Sequence, residues 1–227
     1  MEQEPFTWFG ALGLPEKIAT AGLVAGLLVV FAALVSRKLG ATDAALEPED
    51  GITARNLAEG LVEAISGLAE GVIGHGAQRY VPLLASFFVF ILACNLIGLV
   101  PGFSPPTSDF NITFGLGLVS FVAYQVAGAR EHGFRYVKQF LGPVVYLWWL
   151  IPIVELFTHS FRPVSLAIRL FANMTADHEV VEIFTGLTKI GIPVAFYGLG
   201  AFVAVVQAFV FTMLSAIYIA LAVSHEH

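Results

Sequence analysis

From Ile190 to Ser224 thirty-five consecutive residues contain no Asp, Glu, Lys or Arg. As one helix such a run is roughly 52 Å long, against about 30 Å of hydrocarbon in a bilayer, so it must tilt, bend or overhang the membrane. The rest of the chain supports a bilayer setting. Of 227 residues 57% are hydrophobic and 12% charged, too few charges to clothe a water-soluble fold of this apolarity. The net charge of −6 lies mainly in the amino-terminal tail and around residues 43 to 70, which excludes a basic nucleic-acid-binding face. The single cysteine, Cys94, lies in an apolar run and offers no disulfide and no cysteine-based metal site.

Three further uncharged runs have the length of a membrane crossing: 18 to 36, 81 to 100 and 110 to 129, the last two separated by the loop PGFSPPTSD. The first has an acidic leader with Glu2, Glu4 and Glu16 instead of the basic start of a cleaved signal peptide, and is read as a retained helix. From about Pro143 to Phe184 runs a segment too long for one perpendicular crossing and too charged for lipid, which with the final run makes a helical hairpin turning between Gly186 and Pro193. The expected fold is an all-α polytopic membrane protein of about five crossings, its last two helices a long, steeply tilted hairpin. It forms one membrane domain over 1–227, with a tail and first helix in 1–38, a cytoplasmic loop in 39–79, helices two and three in 80–129 and the hairpin in 139–224. Within the loop, Leu57, Leu61, Val62, Ile65, Leu68, Val72 and Ile73 recur at helical spacing away from Glu59, Glu63 and Glu70. That stripe suits an amphipathic helix on the membrane surface, or one packed on a partner subunit.

Basic residues orient the chain. With the amino terminus outside, Arg37, Lys38, Arg55, Arg79, Arg130, Arg135 and Lys138 fall on the cytoplasmic side, against Lys17 and Lys189 outside, and the carboxy terminus lies inside.

Arg169 then stands midway along the fourth crossing, where a guanidinium costs roughly 2.5 to 3.5 kcal/mol and cannot escape by losing its proton. Ser165, Arg169, Asn173 and Asp177 are spaced four apart and share one helix face. Gln207, the one strongly polar side chain near the middle of the last helix, falls at the same depth if the turn is centred near residue 188. Asp177, His178 and Glu182 approach the arginine from the outer side, Glu155 and His159 from the cytoplasmic side. Two sets of titratable groups separated by a permanent cation suit two offset ion half-channels that must not connect. A buried arginine stapled to a carboxylate is the plainer reading of the same helix, but it has no use for two such sets. Arg162 is placed to snorkel to the cytoplasmic interface. Asp177 and Glu179 also fit hydrated acids at an aqueous vestibule, and His225 and His227 a solvated tail.

NLIGLVPGF, PPTSDFNIT, RPVSLAIRLFANMTA and QAFVFTMLSAIYIA, in their order along the chain, closely resemble subunit a of the rotary (F-type) ATP synthases from about residue 81 to the end. The resemblance implies a non-catalytic stator subunit without a cofactor, beside a ring of c subunits and with the b subunits of a peripheral stalk, in membrane lipid. It implies that Arg169 faces the essential carboxylate of each passing c subunit, holds it deprotonated and separates the two half-channels. Asn173 and Gln207 would belong to the surrounding polar network, with Ser165 on the same face, and Glu155 to the cytoplasmic half of the ion path. Many members place an acid and a histidine at the positions of His178 and Gly200, opposite each other across the hairpin. Here the second is glycine, so Glu182, one turn from His178, is expected to replace it in the outer half-channel, with Tyr197 as a further hydroxyl, and Gly200→Glu to restore the pair. The ion is expected to be the proton and the membrane the bacterial inner membrane, since no transit-like leader precedes the first helix. A stand-alone ion channel or an ion-coupled transporter is the alternative. Repeated halves with matching broken helices, HExxH and GxSxG are all absent from the sequence.

Overall fold

A computed structural model describes residues 7–10, 13, 15–39, 54–74, 76–100, 102–133, 151–187 and 192–224. At 36–39, 54, 151, 152, 155, 156, 187 and 192 only the backbone is described. Among the described residues there are six α-helices and no strand: α1 Glu16–Leu39, α2 Ala54–Ile73, α3 Val81–Ile97, α4 Phe110–His132, α5 Ile151–Leu187 and α6 Ile192–Val223. Short 3-10 turns at Ala77–Arg79 and Pro106–Ser108 precede α3 and α4. The chain between α4 and α5, where the hairpin was expected to begin, lies outside the described residues, as does the turn between α5 and α6.

By length and composition, three of these helices are apolar enough to cross a membrane: α1, α4 and α6. Helix α3 is equally apolar but only 17 residues long, and α5 carries Arg162, Arg169 and its acids within 37 residues. This is a polytopic, all-helical membrane protein.

Lipid tails are as apolar as leucine, so helices in a bilayer associate through close packing and buried polar contacts more than through the hydrophobic effect. The core follows that rule. Ala204, Ala208, Ala216, Ser120, Thr212 and Ser215 are buried, and the Ser120 and Ser215 hydroxyls meet at 2.8 Å between α4 and α6. One apolar cluster joins Phe87 and Ile91 of α3 to Leu166, Leu170 and Met174 of α5 and to Ala208 and Phe211 of α6. A second joins Ile65 and Ala69 of α2 to Val81 and Leu84 of α3, Tyr124 and Ala127 of α4 and Ile219 of α6. Most of the stripe on α2 therefore packs against this chain's own helices, with Leu61, Leu68, Val72 and Ile73 joining the cluster, while Leu57 and Val62 of the same stripe stay exposed and Glu59, Glu63 and Glu70 point outward.

The polar loop before α4 is itself buried. Lys17 donates to the Ser108 carbonyl at 2.9 Å, Trp8 N–H to that of Gly102 at 3.1 Å, and the Asp109 side chain caps α4 by accepting from Asn111 N–H at 2.8 Å.

Helix α5 packs closely on α4 at Gly117. A Cβ there would lie 2.6 Å from the Pro163 carbonyl oxygen.

Candidate functional site

Three contacts set the register of the α5–α6 hairpin. Arg162 lies over the Tyr218 ring at 5.2 Å, Asp177 faces Gly200, and Phe184 stacks on Phe196 with centroids 4.2 Å apart. The two residue numbers in each pair total 377 to 380, so Gln207 lies level with residues 170 to 173, between Arg169 and Asn173. The sequence spacing had put it level with Arg169, less than a turn away.

Leu166, Leu170 and Met174 turn inward, and Ser165, Arg169 and Asn173, each one residue earlier and so about 100° round the helix, are all three exposed. Among the described residues, Arg169 makes no hydrogen bond and no ion pair; Arg55–Glu59 at 2.6 Å is the one salt bridge. Gln207 is half-buried and does not bond to Arg169. A permanent cation in mid-helix with its donors unspent needs an acceptor from outside the chain.

Toward the hairpin turn, α5 borders a cavity of about 200 Å³. It is lined by Asp177, His178 and Glu182 of α5, Tyr197 of α6 and Asn95 of α3, so it gathers all three outer titratable residues anticipated from sequence. Glu179 is exposed. At the other end of α5, His159 is half-buried, and the side chain of Glu155 lies outside the described residues.

The pairing across the hairpin differs from expectation. A methyl group built at Gly200 would stand 2.7 Å from Asp177 Oδ2 and 3.0 Å from Leu99 Cδ2, so Gly200 faces Asp177 and not His178. Successive side chains on a helix point about 100° apart, and only one of two neighbours can be aimed at α6. The space a side chain at position 200 would take is filled from the other helix by a carboxylate. Gly200→Glu would therefore set two carboxylates together instead of restoring a pair. It is expected to lower the unfolding midpoint of the purified protein, and Gly200→Glu with Asp177→Gly to recover most of the loss. Unfolding of each variant checks this, and an unchanged midpoint in the single variant would contradict it.

Asn95 is the site residue that sequence reasoning missed. It is fully buried, accepts from Thr107 Oγ1 at 2.6 Å and donates from Nδ2 to the Ala204 carbonyl at 3.4 Å, tying the loop and α6 to α3 beside the cavity. A lone asparagine inside the apolar run VPLLASFFVFILACNLIGLV was the available signal, since an amide is placed there only where it is satisfied. Asn95→Leu strands the Thr107 hydroxyl and is expected to cost about 1–3 kcal/mol, read as a lower unfolding midpoint of the purified protein.

A polytopic helical membrane protein with an arginine exposed on one helix and a cavity of titratable groups beside it has the features of a membrane subunit that translocates ions. Comparison with known proteins narrows the class. The family model described as the ATP synthase A chain matches residues 18–220. ATP synthase subunit a of Bdellovibrio bacteriovorus is 43% identical over 92% of this chain and 92% of its own. ATP synthase subunit a 1 of Syntrophotalea carbinolica is 40% identical over 95% and 88%, and subunit a of Koribacter versatilis 42% identical over 76% and 71%. The chain belongs to the ATP synthase subunit a family.

Proposed function

We propose that this protein is the membrane stator through which protons drive the rotor of an ATP synthase. Arg169 is the separator between two half-channels: an inlet through the cavity of Asp177, His178 and Glu182, and an outlet past Glu155. The observation that carries this reading is the exposed, unpartnered Ser165–Arg169–Asn173 face, which suits a carboxylate passing on a ring of c subunits. Asn173 and Gln207 flank that passage and order its water. Each elementary charge descending 100 mV yields about 2.3 kcal/mol, and rotation carries it to catalytic subunits elsewhere, so this chain is not itself an enzyme.

The same reading has five crossings, the amino terminus outside and the carboxy terminus in the cytoplasm of a bacterial inner membrane, with b subunits of a peripheral stalk among its neighbours. Its 32-residue final helix is roughly 48 Å long and should incline by more than 40° to the membrane normal, following the curve of the ring. An α6 axis within 20° of the normal in an imaged complex would contradict this.

The direct test is a disulfide cross-link. Asn173→Cys in the cysteine-free chain should join a cysteine placed one turn from the ring carboxylate, and Val194→Cys, also exposed but near the hairpin turn, should not. Absence of the first product in an assembled complex would refute the placement. For the inlet, Glu182→Gln should slow proton-driven synthesis several-fold and alter its dependence on outer pH. An unchanged rate and profile would make Glu182 a hydrated surface group.

A further inference from the structure

The loop between α3 and α4 forms part of the cavity wall, and a distant part of the chain holds it from behind. Gly102, Phe103 and Pro105 line the cavity together with Asp177, His178 and Glu182, whereas no lining residue comes from α1 or the segment before it. Yet loop positions 102, 103, 104 and 108 are held in turn by residues 8, 9, 16 and 17. The Trp8 N–H donates to the Gly102 carbonyl at 3.1 Å, and its indole lies so close over Gly102 that a Cβ there would stand 2.6 Å from Nε1. Phe9 meets Phe103 edge-on with centroids 6.1 Å apart. Ser104 Oγ donates to Glu16 Oε2 at 3.2 Å, and Lys17 Nζ donates to the Ser108 carbonyl at 2.9 Å. The other oxygen of Glu16 accepts from the Thr7 hydroxyl and packs on Gly10, which closes the segment before α1 about its own acid.

Toward α3 the same loop is tied by Thr107, whose hydroxyl donates to Asn95 at 2.6 Å, and by Pro105, which packs on Gly98. Between the end of α3 and the start of α4 the regular structure among the described residues is one 3-10 turn. Irregular backbone at membrane depth keeps its shape only where surrounding protein satisfies it. The loop is therefore stretched between two sets of ties, one on α3 and one on α1 and the residues ahead of it.

Resting on the inlet reading above, we propose that Glu16 and Lys17, with Trp8 and Phe9, are positioning residues for proton uptake, holding the loop back so that the cavity stays open beside His178 and Glu182. None of the four lines the cavity, so they act through the loop. Released from behind, the loop keeps its ties to Asn95 and Gly98 and relaxes toward them. Phe103 and Pro105 then take up cavity space, and water, which needs polar partners, is displaced from the path.

The test uses the intact ATP synthase in vesicles, with inlet-side pH varied at fixed outlet pH and assembly checked by the co-purified ring. Glu16→Leu and Lys17→Met should each raise the inlet proton concentration for half-maximal synthesis by about fivefold, with the maximal rate kept. Glu16→Gln retains an acceptor for Ser104, and Lys17→Arg a donor for Ser108, so both should stay near wild type. A general loss of folding lowers the maximal rate without moving the half-saturation point, which separates positioning from stability. The wall is read directly with Tyr197→Cys in the cysteine-free chain: a water-soluble thiol reagent should modify it about fivefold more slowly when Glu16→Leu is added. Unchanged half-saturation and unchanged labelling would overturn the proposal. Slower labelling with unchanged half-saturation would refute the cavity as the inlet, and the role in uptake with it. The stator reading fails separately, by coupled pumping in Arg169→Lys.

Discussion

Arg169→Lys is expected to abolish coupled transport, lowering ATP-driven proton pumping in vesicles by at least about 100-fold while the complex still assembles. A factor of that size corresponds to about 2.7 kcal/mol. The charge is nominally kept, so the loss comes from what lysine lacks. The guanidinium is planar, presents five donors in a fixed fork and stays protonated when desolvated, whereas an ammonium is a compact point charge that gives up its proton readily in an apolar setting. On a face where no described residue partners Arg169, the fork is free, on the proposed reading, to engage a passing carboxylate and the polar groups near it at once. Lysine meets one partner at a time and, once neutral, no longer bars protons from crossing directly. Pumping above one-tenth of the normal rate in the lysine variant would refute the assignment.

Gly117→Val is expected to prevent a stable protein from accumulating. A Cβ at that position would lie 2.6 Å from the carbonyl oxygen of Pro163 and 3.3 Å from its carbonyl carbon, backbone atoms that cannot swing aside as a side chain can. Overpacking of a tight core costs about 1–3 kcal/mol, and against backbone the upper end applies. The cost also spreads, because α4 and α5 must separate where Tyr124 reaches His159. Gly115, two residues away on α4, has no atom within 4 Å of a built Cβ, so Gly115→Val is the matched control. Equal unfolding midpoints for the two variants would show that the contact between α4 and α5 at Pro163 is loose.

Much of the fold was legible because the bilayer reduces the choice to helices, and uninterrupted apolar runs mark them. The runs at 18–36, 81–100 and 110–129 correspond to α1, α3 and α4, and the expected turn between Gly186 and Pro193 brackets the gap between Leu187 and Ile192. Rotation about a helix axis was harder to read. Spacing of four placed Ser165, Arg169 and Asn173 on one face, but which neighbour that face meets depends on packing from α3 and α4. Asp177 and His178 differ by 100° about the axis, and the register that aims the first at Gly200 is set by contacts such as Phe184 on Phe196, which the order of residues does not announce. The stripe on α2 shows the same limit. Its period marked an apolar face, and only the tertiary structure revealed that α3 and α6 bury Ile65, Ala69 and their neighbours while Leu57 and Val62 remain exposed.

The bare face of α5 also bears on how the subunit is made. On the proposed stator reading, a chain in lipid without its rotor carries Ser165, Arg169 and Asn173 against acyl tails, and the bilayer must thin or admit water and headgroups around the guanidinium, at roughly 2.5 to 3.5 kcal/mol. Docking beside a ring would relieve that deformation, so the same arginine would first act as a thermodynamic pull toward assembly.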